Sequence, residues 1–242
     1  MSAAGERAPA AAEQATGADP GSTAARYIAI ITDGNGRWAQ ARGLPVNEGH
    51  NAGADIVKAR LRDSAELGIR EFTVYSFSTE NWSRPPEEVS GLMKMFSVRI
   101  ASETPELHAE GVRMRFIGRR EGVGDHLSEQ MDWAEELTSA NTRITMFVAF
   151  NYGGRAEIMD AARRFTGGGE QEFRDCLYAP EMHDPDLIIR TSGERRLSNY
   201  LLWQSAYSEL IFRDELWPDF TRAALESSLA EYAERQRRFG GR

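Results

Sequence analysis

The sequence predicts an α/β fold with a parallel-rich central sheet flanked by helices. Two observations carry this. Short apolar, β-branched runs alternate with longer amphipathic segments from Tyr27 onward, the pattern of strands joined by crossover helices. Four polar motifs, "TDGNGRW", "SFSTEN", "AFNYGG" and "IRTSGERR", each follow a predicted strand. Open parallel sheets bind ligands at the carboxyl ends of their strands, so the motifs should converge on one edge.

The elements follow in order. "YIAIIT" is a strand, "DGNG" a turn, and a short helix starts at Arg37. A second helix is predicted from about Gly49 to Glu66, ended by Gly68. "EFTVYSF" is a strand and "STENWSRPPEEV" a polar loop; Pro85 and Pro86 suit the start of the next helix, "EEVSGLMKMFSVRIASETPELHAE". Leu92, Met95, Phe96 and Ile100 make one stripe on it, core by default and able to line an apolar tunnel. "VRMRFIG" is a strand; His126 to Ser139 is a helix, with Trp133 and Leu137 on one face. Then come strand "RITMFVAFN", helix "GRAEIMDAARRF", strands "DLIIRT" and "LIF", and a terminal helix up to Gly240.

Composition narrows the function. With 41% apolar residues the 242-residue chain can build a real core, and a net charge of −8 argues against a nucleic-acid binder. A local arginine cluster can still hold an anionic substrate. The single cysteine, Cys176, allows no internal disulfide and fits a reducing, cytoplasmic setting. Residues 1–26 are Ala-, Gly- and Pro-rich and read as a disordered tail without a secretory leader, and 27–242 as a single domain. No apolar run is long enough to span a membrane.

In "DGNGRW", Gly34 and Gly36 let the backbone approach a ligand, and Arg37 offers a bidentate phosphate donor. Asp33 would oppose an anion unless a cation lies between them, which reads as a Mg²⁺ ligand. A plain strand-to-helix turn with Asn35 in a left-handed conformation explains the same residues. Arg190, Arg195 and Arg196, with Ser192 and Ser198, suit a second phosphate site, the alternative being a salt-bridged loop. His50 alone reads as structural, and Ser78, Glu80 and Asn81 lie on a loop long enough to close as a lid. Two phosphate sites, a metal carboxylate and an apolar wall suggest the joining of two diphosphates with apolar tails.

"IAIITDGNGRWA", "GHNAG", "YSFSTENWSRPPEEV", "FNYGGRAEI", "DLIIRTSGERRLSNYLLWQSAYSELIF", "LWPDF" and "RRFGG" together resemble the cis-prenyltransferase family, over about Tyr27 to Gly241. The resemblance implies isoprenyl diphosphate substrates, Mg²⁺, a homodimer and a single catalytic domain over 27–242. It implies that Asp33 and Glu209 hold the metal. Gly34, Gly36, Arg37 and Trp38, with His50, would bind the allylic substrate, and Arg190, Arg196 and Ser198 the second diphosphate. Asn35, Ser78 and Glu80 match positions of proton removal or substrate placement. Phe77, Trp82, Arg84 and Glu88 match the mobile segment, and "RRFGG" would reach the partner subunit's site.

Departures from the family pattern carry information. Tyr27 and Thr32 replace a histidine and a methionine, and Val46 stands where an arginine usually touches the allylic diphosphate. Phe147 and Phe150 replace small or polar residues. In a plain strand they face opposite sides, and Phe150, next to "NYGG", is the expected tunnel floor. That predicts a short product of about two to four isoprene units, in specialised isoprenoid metabolism. The alternatives are housekeeping undecaprenyl diphosphate synthesis and head-to-middle, lavandulyl-type coupling. Membrane contact is expected only with a long product. A non-catalytic partner subunit is disfavoured by the presence of Asp33, Arg37, Glu80, Arg196 and "RRFGG".

Overall fold

The structure, a computed structural model, describes residues 24–235. Most of the expected tail and the whole "RRFGG" end lie outside the described residues. Residues 24–26, the end of that expected tail, are described and lead into the first strand. Ala25 is buried, and the Arg26 and Tyr27 N–H groups both donate to the Asp186 carboxylate, at 2.8 and 3.0 Å.

Six parallel strands form one sheet in the order β3-β4-β2-β1-β5-β6. They are β1 (Tyr27–Ile31), β2 (Glu71–Ser78), β3 (Val112–Ile117), β4 (Ile144–Tyr152), β5 (Leu187–Arg190) and β6 (Glu209–Phe212). The helices are α1 (Asn35–Ala41), α2 (Val46–Glu66), α3 (Pro86–Ala109), α4 (Asp125–Thr138), α5 (Gly154–Arg164), α6 (Glu170–Arg174) and α7 (Arg222–Glu234). The chain leaves β1 toward β2 on one side and later returns to pair β5 on the other. The crevice between β1 and β5 is therefore the switch point at which such sheets bind ligands.

Several boundaries differ from expectation for identifiable reasons. α2 starts at Val46, three residues before Gly49, because Pro45 serves as its N-cap. Gly49 and Gly53 then sit inside a helix, where glycine is disfavoured; their use emerges at the site below. Residues Thr79–Ser83 of the expected loop form a 3-10 turn, capped by Ser78 and Asn81 side chains. α6 was not expected. On α4 the buried face is Leu127, Met131, Ala134 and Thr138, whereas Trp133 is exposed.

Apolar clusters cover both faces of the sheet. The larger one joins Ile28, Ile30, Phe72, Val74, Met146, Val148 and Phe150 to residues of α2, α3 and α4. The other contains Ala29, Ile31, Phe147, Tyr152 and Tyr200. Phe147 and Phe150 thus face opposite sides, as alternation requires. β2 carries register shifts against β4 at Tyr75/Phe77 and Phe77/Ser78. These bend the end of β2 just before the 3-10 turn.

Candidate active site

The turn after β1 is braced from several sides. Gly34 has φ 108°, a left-handed value that a side chain would strain, and a Cβ there would meet Leu216 Cδ2 at 2.8 Å. The Trp217 N–H donates to the Asp33 carbonyl at 3.0 Å, and its indole donates to the Gly53 carbonyl at 2.8 Å. "LWPDF" therefore locks the Asp33 turn onto α2. Gly53 in turn makes room for Asn35: a Cβ would fall 2.4 Å from Asn35 Oδ1. This close approach is the reason for the glycines of "GHNAG".

Three cavities meet at Thr32, Asn35 and His50. One, of about 270 Å³, is polar and includes Asp33, Tyr75, Ser78, Arg84, Arg190 and Ser198. A wider cleft of about 720 Å³ runs along Gly34, Gly36, Arg37, Val46 and Arg84. The third is apolar, with a volume of about 110 Å³. It runs between the sheet and α2/α3, past Leu92, Phe96 and Ile100 to Leu107, Met114 and Met146. The α3 stripe read from the sequence thus lines a cavity.

Asp33 lies on both polar cavities. Its Oδ2 accepts from Arg190 Nη2 at 2.8 Å, and its Oδ1 lies 3.6 Å from Arg37 Nη2. Burial alone would raise its pKa, but the hydrogen bond and charge of Arg190 hold the carboxyl below its ordinary range. Arg190 is buried, and it also donates to Ser198 Oγ at 2.6 Å and to the Arg196 carbonyl. Asn35 Oδ1 and Arg190 Nε are buried without a hydrogen-bond partner in the protein. Such atoms are costly unless a ligand satisfies them. His50 lies 3.3 Å from Glu88, which also accepts from Arg84 at 2.9 Å. Burial pulls the His50 pKa down and so favours the neutral ring, against the opposing pull of the Glu88 carboxylate.

Some expected site residues lie elsewhere. Trp38 turns away, donating to Asp219 at 2.8 Å beneath the Arg42 guanidinium, because the α1 surface there packs on the "WPD" turn. The Arg196 side chain is exposed and paired with Glu194, leaving only its carbonyl at the site. Glu209 starts β6, in register with Leu187, three residues back from the Arg190–Phe212 pair. Its carboxylate is bound to Arg235 at 2.8 Å, so the chain does not bring it to Asp33. Phe77, Trp82 and Phe150 pack together instead of lining the cavities: the Phe77 ring lies 5.0 Å from Trp82 and 5.3 Å from Phe150. Phe150 also meets Phe96 edge-on at 4.7 Å. It therefore packs behind Phe96, outside the lining of the apolar cavity, whereas the expected floor would have to lie within it. Trp82 is pinned by its indole to Asn151 Oδ1 at 2.7 Å. Glu80 is held by Asn199 at 2.8 Å, which lowers its pKa against the opposing effect of burial.

The sequence reading missed Tyr75 and Asn199. Tyr75 reads as one more strand residue, yet its hydroxyl reaches the Tyr152 and Ser198 carbonyls at 3.2 and 3.4 Å. Asn199 tolerates φ 64°, and its side chain joins Glu80 to the Arg155 N–H at the start of α5. Its place in "LSNY", next to Ser198, was the available signal.

Comparison with known proteins agrees with this geometry. Residues 31–240 match the family described as "Putative undecaprenyl diphosphate synthase". The chain is 49% identical to Isoprenyl transferase 2 of Bradyrhizobium diazoefficiens, over 96% of each chain. It is 50% identical to the isoprenyl transferase of Thermotoga maritima, over 89% of this chain and 97% of that one. The crystal structure of lavandulyl diphosphate synthase from Lavandula x intermedia, in complex with dimethylallyl diphosphate, superposes with a TM-score of 0.87. It shares 33% identity and covers 90% of this chain and 99% of that one. With the polar pockets at the β1–β5 crevice opening into an apolar cavity, the chain belongs to the isoprenyl transferase family of undecaprenyl diphosphate synthases, the cis-prenyltransferases.

Proposed function

We propose that the protein is a Mg²⁺-dependent isoprenyl diphosphate synthase that extends an allylic diphosphate with isopentenyl diphosphate to a long polyprenyl product of the lipid-carrier type. The observation that carries this is the meeting of two polar pockets and one apolar cavity at Thr32, Asn35 and His50. The cavity continues to Leu107, Met114 and Met146, and Phe150 is not in its lining. This supports a longer product than a floor at Phe150 would allow.

Gly34 to Arg37, His50 and Arg84 would hold the allylic diphosphate, and Arg190 and Ser198 the second one. Asp33 fits a Mg²⁺ anchor: it is an ionised carboxylate on both pockets. Mg²⁺ characteristically uses one or two carboxylates and completes its shell with water and phosphate. When bound, the ion would neutralise charge on the leaving diphosphate. Arg37 and Arg190 supply fixed positive charge where that negative charge grows. The allylic C–O bond breaks and its electron pair leaves with the diphosphate. The double bond of the second substrate forms the new C–C bond, and a proton passes from the adjacent carbon to the released diphosphate. Asn35 Oδ1, a neutral acceptor without a protein partner at the junction of the pockets, would orient that carbon. Holding both tails in one cavity supplies the proximity. We place the enzyme in the cytoplasm as a homodimer by its family; no helix among the described residues is long and apolar enough to cross a membrane.

A second reading, head-to-middle coupling of two dimethylallyl diphosphates, is favoured by the likeness to lavandulyl diphosphate synthase and by Val46 in the allylic cleft. NMR and mass spectrometry of products from defined substrate pairs separate the two. Linear products formed only with isopentenyl diphosphate support the first, and a branched product from dimethylallyl diphosphate alone supports the second.

A further inference from the structure

The apolar cavity, at about 110 Å³, is much smaller than the ~300–1,000 Å³ of pockets that enclose drug-sized ligands. A growing prenyl tail therefore needs a wall to move. The sheet wall is fixed by strand pairing. The wall between α1 and α2 is fixed by the close approach of Asn35 to Gly53. The seam between α2 and α3 is different, because charged side chains close it.

Arg99 and Glu103 of α3 both line the cavity and pair with each other at 2.9 Å. Arg99 crosses to α2, donating to Asp55 Oδ1 at 2.5 Å and to the Asn51 carbonyl at 3.0 Å. In return Lys58 of α2 reaches Glu103 at 3.8 Å and Glu106 at 3.0 Å. Signs alternate along the seam, so each helix is complementary to the other. Asp55 is 67% exposed and Glu106 50%, so the two links that cross from α3 to α2 through them are weak and screened by salt, whereas Arg99 and Glu103 are largely covered. A second cavity of about 300 Å³ opens on the outer side of the same seam, and Leu92, Met95 and Arg99 line both. The side chains of the seam are thus a thin partition between the tunnel and the outside.

Resting on the function proposed above, we propose that Arg99, with Glu103 and its α2 partners Asp55 and Lys58, is a specificity-determining latch. The ion-pair seam is the wall that parts as the tail lengthens, and its strength sets where elongation stops. A weaker latch gives a longer product.

The test measures chain length by reverse-phase chromatography of dephosphorylated products, made from farnesyl diphosphate and isopentenyl diphosphate. Diphosphate release is followed in parallel. Arg99→Met keeps a long apolar stem and removes the charge. It is expected to lengthen the main product by about two or more isoprene units at low salt. Asp55→Asn, outside the cavity lining, is expected to shift it the same way by less. Wild type should lengthen its product between about 0.05 and about 0.5 M NaCl, while Arg99→Met should not respond. The salt series on wild type carries the test if Arg99→Met fails to fold. Turnover with the same product in wild type, both variants and all salt concentrations overturns the latch and leaves the function standing. Absence of any turnover by wild type overturns the function on which the latch rests, and the latch with it.

Discussion

Arg190 Nη2 and Asp33 Oδ2 are 2.8 Å apart across the β1–β5 crevice. The residue proposed for the second diphosphate and the residue proposed for the metal are thus one ion pair. Neither can be changed without altering the other's charge environment, and a ligand arriving between them must share both.

Asp33→Ala should lower kcat by roughly a thousandfold or more, since metal anchoring and the orientation of Arg190 are lost together. Stability should fall by only about 1–2 kcal/mol, less than for a fully buried pair, because Asp33 is partly solvated. EDTA should abolish wild-type turnover and added Mg²⁺ restore it. Thermal melts beside steady-state rates check both parts; near-normal turnover of the mutant would remove the metal assignment.

Arg190→Ala should raise the KM for isopentenyl diphosphate more than that for the allylic substrate, by a loss of about 1.5–3 kcal/mol of charge-assisted contact. The double mutant with Asp33→Ala should fall short of the sum of the two single effects, because the residues are in contact. Additive losses would mean that the pair does not act as a unit.

Gly53→Ala tests the packing that sets Asn35. The new Cβ would lie 2.4 Å from Asn35 Oδ1, so the side chain must leave the junction of the pockets. We expect kcat to drop about tenfold, a loss near 1.4 kcal/mol, with the fold retained. An unchanged kcat would show that the position of Asn35 does not matter.

How much of this was legible in the sequence depends on the distance over which each contact forms. Strand order of use, the carboxyl-edge location and the Asp33–Arg37 turn follow from local pattern and fold rules. The opposite facing of Phe147 and Phe150 follows from a period of two. What escaped depends on partners far along the chain: Trp38 is claimed by Asp219, Glu209 by Arg235, and Glu80 by Asn199. The sequence places Phe150 on the cavity side of the sheet but not at a depth, because alternation gives only the face of a residue. It sits at the carboxyl end of β4, behind Phe96, while Met146, four residues earlier, lines the cavity.

That correction makes opposite predictions for two β4 positions. Phe150→Ala should cost about 3–5 kcal/mol of stability, as removal of a buried ring does, with little change in product length. Met146→Phe should shorten the product by filling the deep part of the cavity, at about 1–3 kcal/mol of overpacking cost. Denaturant melts and product chromatography together check the pair. A longer product from Phe150→Ala would restore it as the floor.

His50 makes stability depend on pH in a known direction. Its folded-state pKa lies below the ordinary value of 6.5, through burial, so the unfolded chain binds the proton more readily. The contribution of His50 is then fully present above 6.5 and is lost as the pH falls through the lower, folded value. Tm should decline between pH 7.5 and 5.5 more in wild type than in His50→Gln, the extra loss of stability being about 1.4 kcal/mol per unit of pKa difference. Parallel declines would show that the ring is not held neutral.

The central claim is that this chain alone joins isoprenyl diphosphates and lengthens them. Its most direct test is mass spectrometry of the dephosphorylated products formed by purified protein from farnesyl diphosphate, isopentenyl diphosphate and Mg²⁺. The account predicts a linear polyprenol series that ends well beyond the primer and is absent without Mg²⁺. Recovery of the primer unchanged, or of a single short or branched product, would contradict it.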